Sequence, residues 1–251
     1  MGNLNETKKA IVFIHGDLQN HTSFKKIETY FKELGHQTFT FDLPGHGNLK
    51  FSDEMQDLPK YIEETINNFN LDKPIIVGHS TGGILAVNYT LKTNNVSSLI
   101  LLNSTPFSPK LANPNLDWEG MEKQYLKLSE DNFNKQELID YSNLNNPTKE
   151  IILGLGLKST DPKGFKNNIN FYTKDISENN EIFNIDIPVL FISDENDPLI
   201  KADYVKNISS KMKNSKTILT NDGHNAPLTN PENIISMLKN NYPFFTKKLD
   251  K

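Results

Sequence analysis

The stretch "PIIVGHSTGGILAV", residues 74–87, decides the fold of this chain. It begins with an apolar run of strand length and continues into a helical pattern, and Gly78-His79-Ser80-Thr81-Gly82 between them fits G-x-S-x-G. A strand that turns sharply into a helix exposes the central serine, and the flanking glycines leave room for the strained turn. A tight turn with an incidental serine is the alternative. The strand-turn-helix context favours Ser80 as a nucleophile.

Strand-like and helical patterns alternate on both sides of this stretch. The apolar runs of strand length cover residues 10–15, 37–42, 74–79, 97–103, 187–193 and 216–220. Helical spacing connects Phe24, Ile27, Phe31 and Leu34, and Asn230 with Pro231 predicts the start of a last helix. This alternation predicts an α/β fold with a mainly parallel sheet of about six strands, covered by helices on both faces.

The alternation stops after Asn103 and resumes at Ile187. Residues 104–186 carry helical and loop patterns, with aromatic side chains scattered among them and no strong strand signal. We predict a core formed by residues 1–103 and 187–251, interrupted by a helical insertion over residues 104–186. The core carries the predicted nucleophile, so the insertion is expected to vary without disturbing the chemistry.

Composition excludes several classes of protein. The 251 residues include no cysteine, so a disulfide framework, a thiolate metal site and a cysteine nucleophile are excluded. The net charge is −4 and all 27 basic residues are lysines, which gives no sign of a nucleic-acid partner and no guanidinium for a phosphate. The sequence shows neither an apolar run of about 18 residues nor a signal-peptide pattern. We predict a cytoplasmic protein without cofactor, metal or integral membrane segment; the oligomeric state is open.

A serine nucleophile needs a base, and His224 is the best candidate among six histidines. It lies in "NDGHNAPL", a polar loop after the last predicted strand, and ligands of open α/β sheets bind at the carboxyl ends of the strands. His79 is predicted to pack beside the turn, and His15 and His46 to brace loops. The two other histidines, His21 and His36, are predicted at the surface.

The histidine in turn needs an acid that fixes its tautomer. Asp194, Glu195 and Asp197 follow the strand "IPVLFIS". Asp197 is favoured because Asn196-Asp197-Pro198 places it in a turn at the top of the loop, and Asp194 is the second choice. The resulting chain order is serine, acid, histidine.

At this point the chain resembles the α/β-hydrolase family over almost its whole length. The residues that carry the resemblance are "HGD", "DLPGHG", "GHSTGG", "DENDP" and "DGHNAP", each after a predicted strand and in the family's order. The insertion falls where this family has its helical cap. The family usually begins with an antiparallel hairpin, whereas only residues 1–9 precede the first apolar run here, so that hairpin is expected to be missing.

The resemblance also implies an oxyanion hole made of two backbone N–H groups. They belong to Thr81, which follows the serine, and to Asp17, which follows "HG". A carboxylate beside a developing oxyanion is a departure from the family; only the Asp17 backbone is required, and a side chain that pointed towards the oxyanion would impair acyl transfer. We therefore expect the Asp17 side chain to point away or to cap the next helix.

These features predict a carboxylesterase that acts on small to medium apolar esters through an acyl-enzyme. A thioesterase or a C–C bond hydrolase with the same triad is the alternative reaction, and a ligand receptor with slow turnover is the alternative from another class. Aromatic residues of the insertion are expected to line the substrate pocket. Trp118 and Tyr125 are the candidates, although either could belong to the core of the insertion.

Overall fold

The computed structural model describes residues 8–145, 147–174 and 180–247. Its strands are β1 (Ile11–Ile14), β2 (Thr38–Thr40), β3 (Ile75–His79), β4 (Ser98–Leu102), β5 (Val189–Asp194) and β6 (Ser215–Thr220). Its α-helices are α1 (Lys25–Glu33), α2 (Leu58–Asn68), α3 (Thr81–Lys92), α4 (Pro109–Ala112), α5 (Trp118–Asn132), α6 (Lys149–Ser159), α7 (Pro162–Lys174), α8 (Ala202–Ser210), α9 (Ala226–Thr229) and α10 (Pro231–Phe245).

The six strands form one sheet in the order β2-β1-β3-β4-β5-β6, and every neighbouring pair is parallel. The predicted fold class, an α/β protein with about six mainly parallel strands, is confirmed. In the described part of the chain, residues 8–10 precede β1 and contain no strand. Because β1 and β3 are parallel neighbours in this order, the loops after both strands meet at the carboxyl edge of the sheet.

Both faces of the sheet are buried, which explains the continuous apolar runs in the sequence. Successive residues of β1 point to opposite sides: Val12 and Ile14 belong to one hydrophobic cluster, and Ile11 and Phe13 to the other. Helices α2, α3 and α8 contribute to the first cluster and helices α1 and α10 to the second. The sheet is therefore a rigid platform for the loops at its carboxyl edge.

Local signals set the ends of the helices. Helix α1 ends in a Schellman motif, because Gly35 has φ +88°, its N–H donates to Lys32 and the His36 N–H donates to Phe31. Asn230 caps α10 and accepts a hydrogen bond from the Asn233 N–H, as the sequence predicts. No helix of the described ranges is long and apolar enough to cross a bilayer.

The prediction that His36 lies at the surface is wrong. Its side chain is buried, Nδ1 contacts the Lys9 carbonyl at 2.7 Å, and Nε2 contacts the Tyr242 hydroxyl at 2.7 Å. The ring also packs edge-on against Phe31. The His36 ring is buried because α10 packs on α1. This packing brings Tyr242 into contact with His36, although the two residues are 206 positions apart in the sequence.

Residues 104–186, which we call the β4–β5 segment, contain helices α4–α7 and no strand among their described residues. The segment packs on loops at the carboxyl edge of the sheet. The Asp161 N–H donates to the Gly45 carbonyl after β2, and Asn113 Nδ2 donates to the Pro198 carbonyl after β5. Asn20 Nδ2, after β1, donates to the Ile139 carbonyl. The segment therefore covers the edge at which Ser80 lies.

Candidate active site

Ser80 occupies a strained turn between β3 and α3. Its backbone has φ 51° and ψ −123°, a region that side-chain-bearing residues rarely adopt. A Cβ at Gly78 would collide with the backbone of Gly83, and one at Gly82 would collide with the Ile14 carbonyl. The glycines of the motif thus allow α3 to start directly against the sheet, which leaves the serine side chain at the edge.

The structure brings Ser80, His224 and Asp197 together, although they are far apart in the chain. His224 Nε2 lies 3.0 Å from Ser80 Oγ, and His224 Nδ1 lies 2.7 Å from Asp197 Oδ2. In the tautomer that satisfies both contacts, the serine hydroxyl donates to Nε2 and Nδ1–H donates to the carboxylate. This chain of hydrogen bonds can move a proton from the serine to the histidine.

Asp197 is fixed independently of the histidine. Its Oδ1 accepts hydrogen bonds from the backbone N–H groups of Leu199 at 2.8 Å and Ile200 at 3.0 Å, and the residue is buried. Asp194, the second choice from the sequence, instead accepts from the N–H groups of Gly223 and Asn196, each at 2.9 Å or less. The carboxylate that contacts His224 is therefore that of Asp197, and Asp194 joins the loops on either side.

The surroundings of His224 and Asp197 favour a positive charge on the His224 imidazole. Burial lowers the pKa of His224, but the negative charge and hydrogen bond of Asp197 outweigh burial and hold the pKa above its ordinary value. Burial likewise raises the pKa of Asp197, and the charge and hydrogen bond of His224 overcome it, so that the pKa of this carboxyl lies below its usual range. The pair therefore stabilises an imidazolium beside a carboxylate.

Two further residues hold the His224 loop, and sequence reasoning missed their role. Asn103 Nδ2 donates to the carbonyls of Gly223 at 2.8 Å and His224 at 2.9 Å, while its Oδ1 accepts from the Asp194 N–H. His79 Nε2 donates to the same His224 carbonyl at 2.8 Å. Burial lowers the pKa of His79 to about 3, so it acts as a neutral donor. The available signal was their position, since each ends or directly follows a strand.

The predicted oxyanion residues Asp17 and Thr81 lie next to each other. Thr81 Oγ1 donates to Asp17 Oδ2 at 2.8 Å, and Asn168 Nδ2 of α7 donates to Asp17 Oδ1 at 2.8 Å. Within the ranges the structure describes, neither backbone N–H has a hydrogen-bond acceptor. Desolvation in this cleft raises the pKa of the Asp17 carboxyl to about 6.

Of the two alternatives expected for the Asp17 side chain, the one in which it caps the next helix is wrong. The 3-10 helix His21–Phe24 is capped by Asn20, whose Oδ1 accepts from the Thr22 N–H at 2.9 Å. The Asp17 carboxylate instead bonds to residues of two other elements, because α3 starts beside it and α7 lies over it. This contact joins elements distant in the chain, so no local pattern could have indicated it.

The two aromatic candidates of the β4–β5 segment have different surroundings. Trp118 is buried at the start of α5, and its Nε1 donates to the Asn113 carbonyl at 2.8 Å. Tyr125 packs against a cluster that contains Leu18, Ile84 and Leu157, two of which come from the core. Tyr125 therefore lies on the interface between segment and core, whereas Trp118 anchors the start of a helix.

Among the described residues no set of three or more His, Asp or Glu side chains is arranged to hold a metal ion.

Comparison with known proteins adds relatives to this geometry. A family model described as "alpha/beta hydrolase fold" matches residues 9–150. "Putative esterase/lipase 2" of Mycoplasma genitalium is 33% identical over 110 residues, which cover 40% of this chain and 41% of that protein. The chain spans less than half the length of this relative and of its Mycoplasma pneumoniae counterpart, of which 39% is covered.

Other relatives match over most of their length. The "Uncharacterized hydrolase YugF" of Bacillus subtilis is 24% identical over 252 residues, covering 91% of this chain and 88% of that protein. A solved structure from a study of carboxylesterases of Nitrososphaera gargenis superimposes with a TM-score of 0.76 at 18% identity, covering 96% of this chain and 92% of that chain. At such identity the structural likeness concerns the fold alone.

Proposed function

Because the chain belongs to the α/β-hydrolase family, we propose that it is a carboxylesterase that cleaves small to medium apolar esters. The observation that carries this proposal is the contact of Ser80 Oγ with His224 Nε2 at 3.0 Å, at the end of a strand. The names of the Mycoplasma relatives, which include the words esterase/lipase, are in agreement. The cytoplasmic location stays a prediction.

The proposed reaction has two halves. Ser80 Oγ attacks the ester carbonyl carbon while its proton passes to His224 Nε2, and Asp197 stabilises the imidazolium. The N–H groups of Asp17 and Thr81 donate to the oxyanion. The tetrahedral intermediate collapses, and the alcohol leaves with the proton from His224. Water then attacks the acyl-enzyme, its proton passes to His224, and the second collapse releases the acid and returns the proton to Ser80.

We infer that an apolar acyl or alcohol group binds between the β4–β5 segment and the core. The β4–β5 segment and the core share a cluster built from Leu18, Ile84, Leu157, Phe165 and Ile169. The chain has no arginine to hold an anionic substrate in a bidentate manner. We propose that this segment is the cap and that its inner face selects the substrate.

The experiment that tests the proposal combines turnover with labelling. The wild-type protein is incubated with p-nitrophenyl esters of increasing acyl length and, separately, with a fluorophosphonate probe. Steady turnover with labelling mapped to Ser80 supports the esterase. A single burst without turnover supports the slow receptor, and a higher kcat/KM for a thioester or a β-diketone supports the alternative reactions.

We predict that kcat/KM rises with pH through the ionisation of His224, above about 6.5, the ordinary value for histidine. His224 must be neutral to accept the serine proton, and its pKa is raised by Asp197. The protein is therefore inactive when the pH lies well below that pKa. A pH–rate profile of the wild type and of Asp197→Asn is the measurement. The midpoint of the variant's residual activity should move to lower pH, since the Asp197 charge no longer opposes burial of the imidazole and only the charges of Asp17 and Asp194 still do; a profile flat from about pH 5 to 8 contradicts a histidine base.

We also predict that Tyr125→Ala shifts the preferred acyl length upwards while the rate with the shortest ester is kept. Each added methylene in an apolar pocket is worth about 1–3 kcal/mol of discrimination. Trp118→Ala is the comparison, because that side chain is held by Asn113. The measurement is kcat/KM over the ester series together with the thermal midpoint. A uniform loss that follows the thermal midpoint would assign the residue to the packing of the segment.

A further inference from the structure

The β4–β5 segment packs closely against the loop that follows β1. The Tyr141 hydroxyl donates to the Leu18 carbonyl at 2.9 Å. Leu18 has φ 57°, an unfavourable conformation for a side-chain-bearing residue, so other contacts must hold it. Gly156 of α6 packs so closely that a Cβ there would collide with the Leu18 carbonyl oxygen. The conformation of this loop therefore depends on the segment.

The Asp17 carboxylate, in the same loop after β1, makes further contacts with α3 and with the β4–β5 segment. One oxygen accepts from Thr81 at the start of α3 and the other accepts from Asn168 in α7, each at 2.8 Å. Tyr172, also in α7, lies near the same carboxylate, and burial together with the Asp17 charge raises the pKa of its hydroxyl well above the ordinary value. A single side chain thus joins the loop after β1, the turn after β3 and a helix of the segment.

Asn168 is suited to this one contact. The residue is completely buried, and its Oδ1 has no partner among the residues that the structure describes. The hydrogen bond from Nδ2 to Asp17 therefore holds the amide in place. A buried amide with one unpaired atom is costly for folding, so the contribution of Asn168 is sought in its contact with Asp17 and not in stability.

We propose that Asp17 is a positioning residue for the oxyanion hole, an inference that rests on the proposed function. Its carboxylate fixes the spacing between the two N–H donors at positions 17 and 81, and α7 holds the carboxylate in place. The two backbone N–H groups then point to one oxygen only when the β4–β5 segment is packed on the core. The expectation that the insertion can vary without disturbing the chemistry would accordingly fail for α7.

Three variants test this inference. Asp17→Ala removes all the contacts of the carboxylate, and Asn168→Ala removes the bond to α7 but leaves that to Thr81. In the double variant Asp17→Asn with Asn168→Asp, amide and carboxylate exchange places and the link between the two positions is kept. Asn167→Ala is the matched control, because this neighbouring side chain in α7 bonds to the Gln56 carbonyl instead.

We expect kcat for p-nitrophenyl acetate to fall about 100-fold in Asp17→Ala and about 10-fold in Asn168→Ala, with KM within about threefold of wild type. The exchange variant should recover at least about tenfold over Asp17→Ala, and the control should equal wild type. Thermal midpoints are measured for all. The inference is overturned if kcat of both alanine variants equals the control. It is also overturned if the loss lies in KM, or if the exchange variant recovers thermal stability without kcat.

The rate at which a fluorophosphonate labels Ser80 separates this inference from the proposed function. Phosphonylation also develops charge on an oxygen in the oxyanion hole. If the wild type labels at Ser80 but turns over no ester, the esterase proposal fails, and slower labelling of Asp17→Ala still supports the positioning role. If ester turnover occurs and labelling is equal in wild type and Asp17→Ala, the positioning role alone fails. Absence of both turnover and labelling overturns both.

Discussion

Ser80→Ala is expected to lower kcat for ester hydrolysis on the order of 10⁶-fold, the loss known for a serine that acts with its histidine as one unit. The hydroxyl contacts His224 and is the group from which the acyl-enzyme forms. The turn itself should persist, because it is held by backbone groups: the Ser80 N–H donates to Leu102, and its carbonyl accepts from Ser104 Oγ. Steady-state hydrolysis and fluorophosphonate labelling measure the effect.

The control for this variant is Ser210→Ala. Ser210 is exposed at the end of α8, shortly before β6 begins at the amino edge of the sheet. Its hydroxyl therefore lies away from Ser80, which is at the carboxyl edge. This protein should hydrolyse and label like wild type, and both variants should have wild-type thermal midpoints. Labelling of Ser80→Ala that maps to a different serine would remove Ser80 from the mechanism.

Asp197→Asn is expected to lower kcat about 10⁴-fold, by analogy with the loss caused by the same change in another serine–histidine–aspartate triad. The amide can donate to His224 Nδ1, which would put the proton on Nε2 and leave no base for the serine. It also removes the charge that stabilises the imidazolium. The backbone donors at Leu199 and Ile200 can still bond to the amide oxygen, so the loop should keep its shape.

Asp194→Asn is the matched comparison and should cost much less. That carboxylate accepts from the backbone of Gly223 and Asn196 and does not bond to the histidine ring. Its replacement weakens the brace between two loops without changing the tautomer of His224. If kcat falls more in Asp194→Asn than in Asp197→Asn, the acid has been assigned to the wrong carboxylate.

Many features of this site were predictable because they are local in the chain. The strand ending at His79 and the helix starting at Thr81 follow from apolar runs and glycines within a few residues. Five motifs, each after a strand, indicated the family, which the family model confirms. The prediction of Ser80, His224 and Asp197 also used local signals, because each residue follows a predicted strand. The carboxyl ends of parallel strands meet at one edge of the sheet, so these residues were expected to lie close together.

The choice between Asp194 and Asp197 was open in the sequence. Both lie in one short loop, three residues apart, and either could face a histidine from the next loop. Tertiary structure separates them, because Asp194 is drawn to the Gly223 N–H while Asp197 turns towards the His224 ring.

The sequence by itself determined the sheet, the sharp turn at Ser80 and the order of the loops at its edge. These depend on side-chain periodicity and on backbone conformations that neighbouring residues impose. Only the tertiary structure decided which groups the Asp17 carboxylate bonds and where His36 is buried. Asn168 reaches Asp17 across 151 positions and Tyr242 reaches His36 across 206. Such contacts arise from the packing of whole helices, and the composition of either segment alone gives no sign of its partner.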